Sequence, residues 1–465
     1  MNPFGALFFV EIGCVLLGFS RSGSSRDSLF PWLSVYALLF MSHPAAPTSS
    51  IGLAALCGVV FALVYVGWVL VGLRLPPLVS AILACSQTLV WTLFALGAWK
   101  LWRLMFPFDV LAIACLGASL FWLEWTLLPL WGTAQNFACS SPFNRPFIAW
   151  FGTAGATWSV LLFAACCCAV VFERIHPSHP NQIWIICGSS VFVLILSGIV
   201  GQLWLGQHNP QTLHNPQTLR VAVFGWAGSA FDALTDIPAE FQSAAREANE
   251  QGARFLVTPE AAIRVQDRAH FRVSLCTLAL KYNLALAVGY FDQKRDENCI
   301  DFVNAQGEVV SRYVKTHLVP VFERYSAGKG EVALMEVDGV KIGGLVCQDD
   351  NFPDIARKYG RAGAQLLAIP TNDWRGVKDV HFANSRWRAL ENRFALARAT
   401  SDGVSALTGA SGEIIRLSDH FQQGAKLLVA DVPVGSGKAT LYAKTGDWFP
   451  VSCGLAALVG LWAAR

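Results

Sequence analysis

Apolar residues run almost unbroken through the first two hundred positions, then divide into short blocks separated by polar punctuation. Seven runs approach the ~20 residues needed to cross a bilayer. They lie near 2–20, 27–43, 50–73, 76–102, 109–130, 147–172 and 182–206. An eighth, shorter run, FPVSCGLAALVGLWAA near 448–463, closes the chain. The pattern predicts a membrane domain of about seven helices over 1–206 and a C-terminal membrane helix over 447–465. The first run lacks a basic leader and is followed by further spans, so it reads as a retained helix and not a cleaved signal. An even number of crossings places both termini on one side and the polar part on the other. Loop charge does not orient the chain: Lys100, Arg103 and Arg174 fall on one side, Arg21, Arg26, Arg74 and Arg145 on the other.

Residues 207–219 form a polar connector in which HNPQTL occurs twice; its Asn-Pro steps punctuate structure, and its function is length. From 220 to 446 the pattern changes. RVAVFGW predicts a buried strand, AEFQSAAREANEQG a helix ending on Gly252, ARFLVTPEAA a strand ending at Pro259, FRVSLCTLALKYN a helix and LALAVGYFD a strand. CIDFVNAQGEVVSRYVKTHL predicts a hairpin turning at Ala305 to Gly307. Beyond the strand-like VDGVKIGGLVC come a helix through DIARKYGRAG, the buried strand QLLAIPTN, a helix running through ANSRWRALENRFALARAT, and a hairpin at TGASGEII. Alternation of this kind predicts an α/β layered domain and not a β-sandwich.

Composition sharpens the division. With 54% hydrophobic and only 14% charged residues, the chain is too apolar for an ordinary soluble enzyme. A net charge of +3 without a basic stripe gives no nucleic-acid partner. Most of the thirteen cysteines lie in the apolar half, where the run Cys166, Cys167, Cys168 reads as small helix filler. Cys276, Cys299 and Cys347 belong to the α/β part and show neither CxxC spacing nor paired histidines, so no zinc site is expected. No glycine-rich phosphate loop precedes a helix, and no metal or organic cofactor is implied.

Three polar residues follow β-like apolar sequence: Glu260 after FLVTP, Lys315 after SRYV and Cys347 after IGGLV. Strand ends are where a rigid sheet holds functional loops. Cys347 lies in GGLVCQDDNFPD, and acidic neighbours keep a thiol protonated unless a base and a cation arrive from elsewhere. Glu260 can serve as the base and Lys315 as the cation facing an oxyanion. Taken singly, each is more readily a solvated charge or a buried cysteine than a catalytic group. His317 has no orienting partner legible in sequence and reads as structural, in the KTHLVP turn. His381 is a lone histidine before a helix, structural or part of a loop above the site. Arg388, Glu391 and Arg398 occur at spacings of three and seven, which predicts an ion-pair face on one helix. In the apolar half, Glu11 and Glu124 are costly in a span and are expected to face a polar interior.

The stretches LVTPEAA, RYVKTHLVPVFERY, GGLVCQDDNFPD, IPTNDW and RWRALENRFALARATSDGVSAL together resemble the carbon-nitrogen hydrolase (nitrilase) superfamily. KTHLVP continuing to Glu323, the RALEN and RAT runs, TLYAKTGDWF and eight spans resemble its membrane branch, the apolipoprotein N-acyltransferase family. The resemblance implies a polytopic α-helical membrane domain carrying a nitrilase-like α/β/β/α sandwich. It implies Glu260 as general base, Lys315 as oxyanion stabiliser, Cys347 as acylated nucleophile and Glu323 as a supporting acid. Gln348, Asp349 and Trp374 are further supporting or substrate-binding positions, and Val321, Phe322 and Trp374 either line a lipid entry or pack around the site. The implied partners are a phospholipid acyl donor, an apolipoprotein acceptor and the bilayer, with the catalytic domain on the periplasmic side of the inner membrane. Three stretches depart from the family. Gln348-Asp349 replaces Tyr-Glu, Asn372-Asp373-Trp374-Arg375 shortens an Asn-Asp-(Gly/Ala)-Trp-Phe-Gly loop, and Phe224-Gly225-Trp226 replaces Gln-Gly-Asn. They leave open a membrane-anchored amidase in which water resolves the thioester; the rival from another class is a receptor or transporter whose soluble part only binds lipid.

Overall fold

The computed structural model describes residues 51–73, 77–127, 145–175, 217–226, 233–234, 237–320, 322–424 and 426–464. The runs expected near 2–20, 27–43 and 182–206, most of the connector, Glu11 and Val321 lie outside the described residues. The chain divides into two compact units, one holding the apolar half together with Thr445–Arg465, the other Leu205–Lys444.

In the first unit, α1 (Ile51–Leu73), α2 (Pro77–Leu101), α3 (Phe108–Leu127) and α4 (Arg145–Ile175, kinked at Gly152) are joined by a C-terminal helix, Trp448–Ala463. Among the described residues, Ser80–Leu101, Phe108–Leu127 and Phe147–Ala169 are long and apolar enough to cross a bilayer, and the protein is a membrane protein. Interior packing is aromatic: Trp91 and Phe121 lie 4.6 Å apart between ring centroids, and Phe151 stacks on Phe449 at 4.5 Å. A Cβ on Gly58 would lie 2.6 Å from the Thr92 Cα, so α1 and α2 meet backbone to backbone. Leu78, Leu89, Leu123, Leu455 and Leu458 point outward, as lipid-facing positions do. Glu124 has partners on the facing helix, its Oε1 accepting from Gln87 Nε2 and, at 3.4 Å, from Ser86 Oγ.

In the second unit the chain forms β1 (Thr218–Gly225), β2 (Ala233–Leu234), α5 (Ala239–Glu250), β3 (Phe255–Val257), β4 (Arg264–Val265), α6 (Arg268–Tyr282), β5 (Ala285–Asp292), β6 (Glu297–Val303) and β7 (Val309–Val314). There follow β8 (Met335–Val337), β9 (Val340–Gly344), α7 (Pro353–Arg361), β10 (Leu366–Thr371), α8 (Lys378–Asn392), β11 (Ala395–Thr400), β12 (Val404–Thr408), β13 (Ile414–Asp419) and β14 (Lys426–Pro433). One sheet runs β14-β1-β3-β5-β4-β2, with β6 added to β5 and β7 to β6; the other runs β13-β12-β11-β10-β9-β8. Both are mixed. β1, β3 and β5 pair in parallel, as do β9, β10 and β11, while β14, β6 and β12 join antiparallel.

Strand alternation sorts side chains into layers. Val221 and Val223 of β1, with Val257, Ala287 and Phe302, share a core with Ile342, Leu367, Ile369 and Leu396 of the opposite sheet. Ala222, Leu256 and Leu286 turn the other way, onto Phe241 of α5 and Phe271 and Leu275 of α6. Ile355 and Tyr359 of α7 and Ala389 of α8 close the remaining face. With both faces of each sheet covered, the central strands are apolar without alternation, and the expected α/β/β/α sandwich is the architecture. Local signals agree where caps exist: Asp267 caps α6 by accepting from the Ala269 and His270 amides, and Asn283 ends it in the left-handed region.

One predicted element divides in two. ANSRWRALENRFALARAT is not a single helix: α8 stops at Asn392, Arg393 adopts a left-handed conformation (φ 59°), and ALARAT becomes β11, in register with β10 from Leu366–Ala395 to Thr371–Thr400. The alanines favour helix locally, but their small side chains fit a strand buried on both faces, and tertiary pairing decides. Arg398 therefore lies on a strand and not on the helix of Arg388 and Glu391. Those two do pair, at 2.9 Å, but buried and not on a solvated face.

Gly289 of β5 passes beneath the loop that carries Glu260. A Cβ there would lie 2.2 Å from the Pro259 carbonyl oxygen. Gly289→Ala is expected to lower stability by ~1–3 kcal/mol, read as a shifted denaturation midpoint, because the obstruction is backbone and cannot swing aside.

Candidate active site

Lys315 follows β7 directly, and Glu260 and Cys347 stand three residues beyond β3 and β9. The fold brings all three together with Glu323. Lys315 Nζ lies 2.7 Å from Glu260 Oε1 and 2.7 Å from Glu323 Oε1. Glu260 Oε1 also accepts from Asn298 Nδ2 at 2.8 Å, and the Cys347 thiol, which donates to the Asn372 carbonyl oxygen at 3.6 Å, feels the charge of Glu260. Asn298 donates as well to the Tyr325 hydroxyl, while the second oxygen of Glu323 accepts from the Val319 amide. Lys315 is fully buried, and Glu260 and Cys347 nearly so.

Backbone contacts hold this set. The Lys315 amide donates to Asn298 O, and its carbonyl accepts from the Gly328 amide. Asp349 ties the turn after Cys347 to the loop after Lys315: its carboxylate accepts from the Tyr313 hydroxyl (2.9 Å) and from the amides of His317 (2.7 Å), Thr316 and Val346. The acid of Asp349 is thus spent on the scaffold. Gln348 is buried and accepts from Asn351 Nδ2. Two non-glycine residues beside the reacting groups, Ala261 (φ 44°) and Cys347 (φ 45°), are left-handed, a conformation that costs roughly 1–3 kcal/mol each. Phe322 and Trp374 meet edge to face at 4.8 Å between centroids, both partly exposed.

Burial pushes the Glu260 carboxyl above the ordinary carboxylate range despite Lys315. Burial also raises the Cys347 thiol, Glu260 raises it further, and Lys315 opposes them. For Lys315 burial disfavours the ammonium, but Glu260, Cys347 and Glu323 outweigh it and hold the charge. The resting site is therefore a thiol, an ammonium and a carboxyl, a set able to move a proton off the sulfur.

His317 has the partner its sequence did not reveal. Its Nδ1 lies 3.1 Å from Asp349 and its Nε2 3.5 Å from Asp354, with the ring stacked on Phe352. Burial lowers its pKa, but hydrogen bonds to Asp349 and Asp354 prevail and raise it to about 9. A folded value above the unfolded one gives stability that is complete below the unfolded value and lost as pH rises through about 9. Linkage puts that loss at about 3 kcal/mol. His317→Gln is expected to flatten the fall in denaturation midpoint between pH 6.5 and 10; an equal fall in both proteins would refute the assignment.

For several residues, sequence reasoning missed the role at the site. Asp350, Asp373, His381 and Arg398 form a buried charged cluster against Cys347, and Asn298 and Tyr325 support Glu260. The available signal was a polar residue inside apolar strand sequence, as Arg398 in ALARAT and Asn298 in ENCIDF. Among the described residues, donor atoms of Cys347, Asp373 and His381 lie within 4.8 Å of one another. Both nitrogens of His381 already face carboxylates and Asp373 is bound by Arg398, so the group is an ion-pair cluster.

A buried thiol, a carboxyl and an ammonium meet at the strand ends of an α/β/β/α sandwich, an arrangement that can support thiol-dependent acyl chemistry. Residues 220–442 match the carbon-nitrogen hydrolase family, and the chain is an enzyme whose α/β unit is similar to that family. The chain is similar to the apolipoprotein N-acyltransferase of Geobacter metallireducens (30% identical over 228 residues, 43% of each chain) and to that of Nostoc sp. (28% over 234 residues, 45% of this chain and 46% of the other). It is also similar to a protein of Pseudomonas protegens named "Hydrolase in pqqF 5'region" (34% over 134 residues, 28% of this chain and 47% of the other). The match spans less than half the length of these curated relatives. Among solved structures, an amidase from Nesterenkonia sp. is 24% identical, covering 49% of this chain and 92% of that one, with a TM-score of 0.40.

Proposed function

We propose that the chain transfers a fatty acyl group from a phospholipid, through a thioester on Cys347, to the N-terminal amine of diacylglyceryl-cysteine lipoproteins. In this reading residues 1–206 and 447–465 lie in the inner membrane, joined through the connector 207–219 to a catalytic domain, 220–446, on the periplasmic side. The observation that carries it is the convergence of Cys347, Glu260 and Lys315 in one buried site on a chain that also has bilayer-length helices.

Glu260 takes the thiol proton as sulfur attacks the ester carbonyl, and the oxyanion forms against the Lys315 ammonium. Collapse breaks the ester C–O bond; the departing lysophospholipid oxygen takes the proton from Glu260, leaving the thioester. A neutral acceptor amine then attacks, a second oxyanion forms and collapses, and the proton lost by nitrogen passes through Glu260 to the departing sulfur. Glu323 helps Glu260 keep Lys315 charged and fixed. Phe322 and Trp374 give an acyl chain an apolar edge beside these loops.

The test is intact mass spectrometry of the detergent-purified protein and its Cys347→Ala variant with a defined phospholipid, followed by a diacylated lipopeptide. An acyl mass on the wild type alone, passed to the peptide amine, is the expected result. An adduct that decays equally fast without peptide, releasing free fatty acid, would instead make the protein a hydrolase.

A further inference from the structure

Behind the nucleophile lies a cluster that the transfer chemistry above does not use. His381, on α8, is buried with Nδ1 2.5 Å from Asp373 Oδ1 and Nε2 2.6 Å from Asp350 Oδ1. A ring with a carboxylate on each nitrogen carries both protons and is an imidazolium. Burial opposes that charge, yet Asp350 and Asp373 hold the group's pKa up at about 10. Nε2 also lies 3.2 Å from the main-chain carbonyl oxygen of Cys347. Asp373 is bound in turn by Arg398 (2.8 Å), and Asp350 accepts from the Ser385 hydroxyl, with Arg398 at 4.0 Å. All four charged groups are buried, and two cations balance two anions.

We propose that His381 is the positioning residue of the nucleophile: it anchors the left-handed backbone of Cys347 through its carbonyl and neutralises Asp373, which lies beside the sulfur, together with Asp350 on its other nitrogen. Both halves follow from the geometry. Cys347 sits at φ 45°, which an ordinary side chain adopts only when its surroundings enforce it. The charge of Asp373 acts on Cys347 to disfavour the thiolate. With the imidazolium removed, two buried carboxylates would face one guanidinium, and the excess negative charge would oppose ionisation of the thiol. Groups facing His381 come from every side of it: Asp350 and the Cys347 carbonyl from the turn, Asp373 from the loop after β10, and Arg398 from β11.

The inference deepens the thioester reading and rests on Cys347 as nucleophile, but its test does not require the acyl donor to be right. Full-length protein in detergent is treated with iodoacetamide, and alkylation of Cys347 is followed by peptide mass against Cys276 as internal reference. In His381→Gln, Cys347 alkylation is expected to slow at least tenfold while Cys276 is unchanged. Adding Asp350→Asn removes one uncompensated carboxylate and is expected to recover most of that rate, which a purely architectural role would not predict. An unchanged Cys347 rate in His381→Gln, or a double variant no faster than the single one, would overturn the proposal. If the single variant does not fold, the charge-balanced double variant decides: alkylation within tenfold of wild type supports the role, and a slower rate refutes it.

Discussion

Lys315→Met is expected to lose acyl transfer by on the order of 10³-fold or more and to lower stability by ~3–5 kcal/mol. No other substitution at the site should cost as much on both counts. The ammonium is fully buried and bridges Glu260 and Glu323 at 2.7 Å each. Methionine fills similar volume but leaves two carboxyls facing each other in a dry site, so at least one must take up a proton. That requirement gives the loss a direction with pH. Freed carboxyls have raised pKa values, so the stability gap to wild type is largest near neutral pH and narrows as pH falls and both become protonated. Denaturation midpoints at pH 5 and 7.5, with single-turnover acylation, measure the two effects. A variant as stable as wild type at pH 7.5 would mean that Lys315 does not hold the carboxyls together.

Glu260→Gln separates chemistry from scaffold. The amide keeps an oxygen for Asn298 and Lys315, and Glu323 remains to pair the ammonium. Stability is expected to change by less than about 1 kcal/mol, since one buried charge is lost along with one pair. Activity is another matter: an amide cannot accept the thiol proton, and losing a general base typically costs 10²–10⁴-fold. Mass spectrometry should find the Cys347 adduct accumulating slower by that factor. In the wild type, the rising limb of acylation against pH should lie above the ordinary carboxylate range, because burial pushes Glu260 up. Glu260→Gln should lack that limb. An adduct forming at the wild-type rate would assign the base to another group.

The residues that reach the nucleophile were legible in proportion to how local their signal was. Glu260, Lys315 and Cys347 each follow an apolar strand, and strand ends are visible as a change in pattern. Arg398 was hidden because Ala-Arg-Ala-Thr continues the helical composition of the segment before it, and only pairing with β10 makes it a strand. His381 and Asp373 are eight residues apart, across a loop and a helix start, where no periodicity links them. Asp349 read as a supporting or substrate-binding position, yet its five hydrogen-bond donors come from two separate segments of chain. In the apolar half, the Glu124 partnership with Gln87 joins two helices, and hydropathy reports where helices are but not which faces meet. The layered architecture was readable since it follows from alternation alone.

The left-handed backbone at Cys347 also sets a conflict for anyone seeking a hardier protein. Glycine is the residue most at ease at that φ, and Cys347→Gly would relieve ~1 kcal/mol of backbone strain, partly offset by the lost thiol contacts. Libraries sorted only for survival on heating would therefore drift toward inert sequences at this position. Heat tolerance and turnover must be selected together if the reactive turn is to persist.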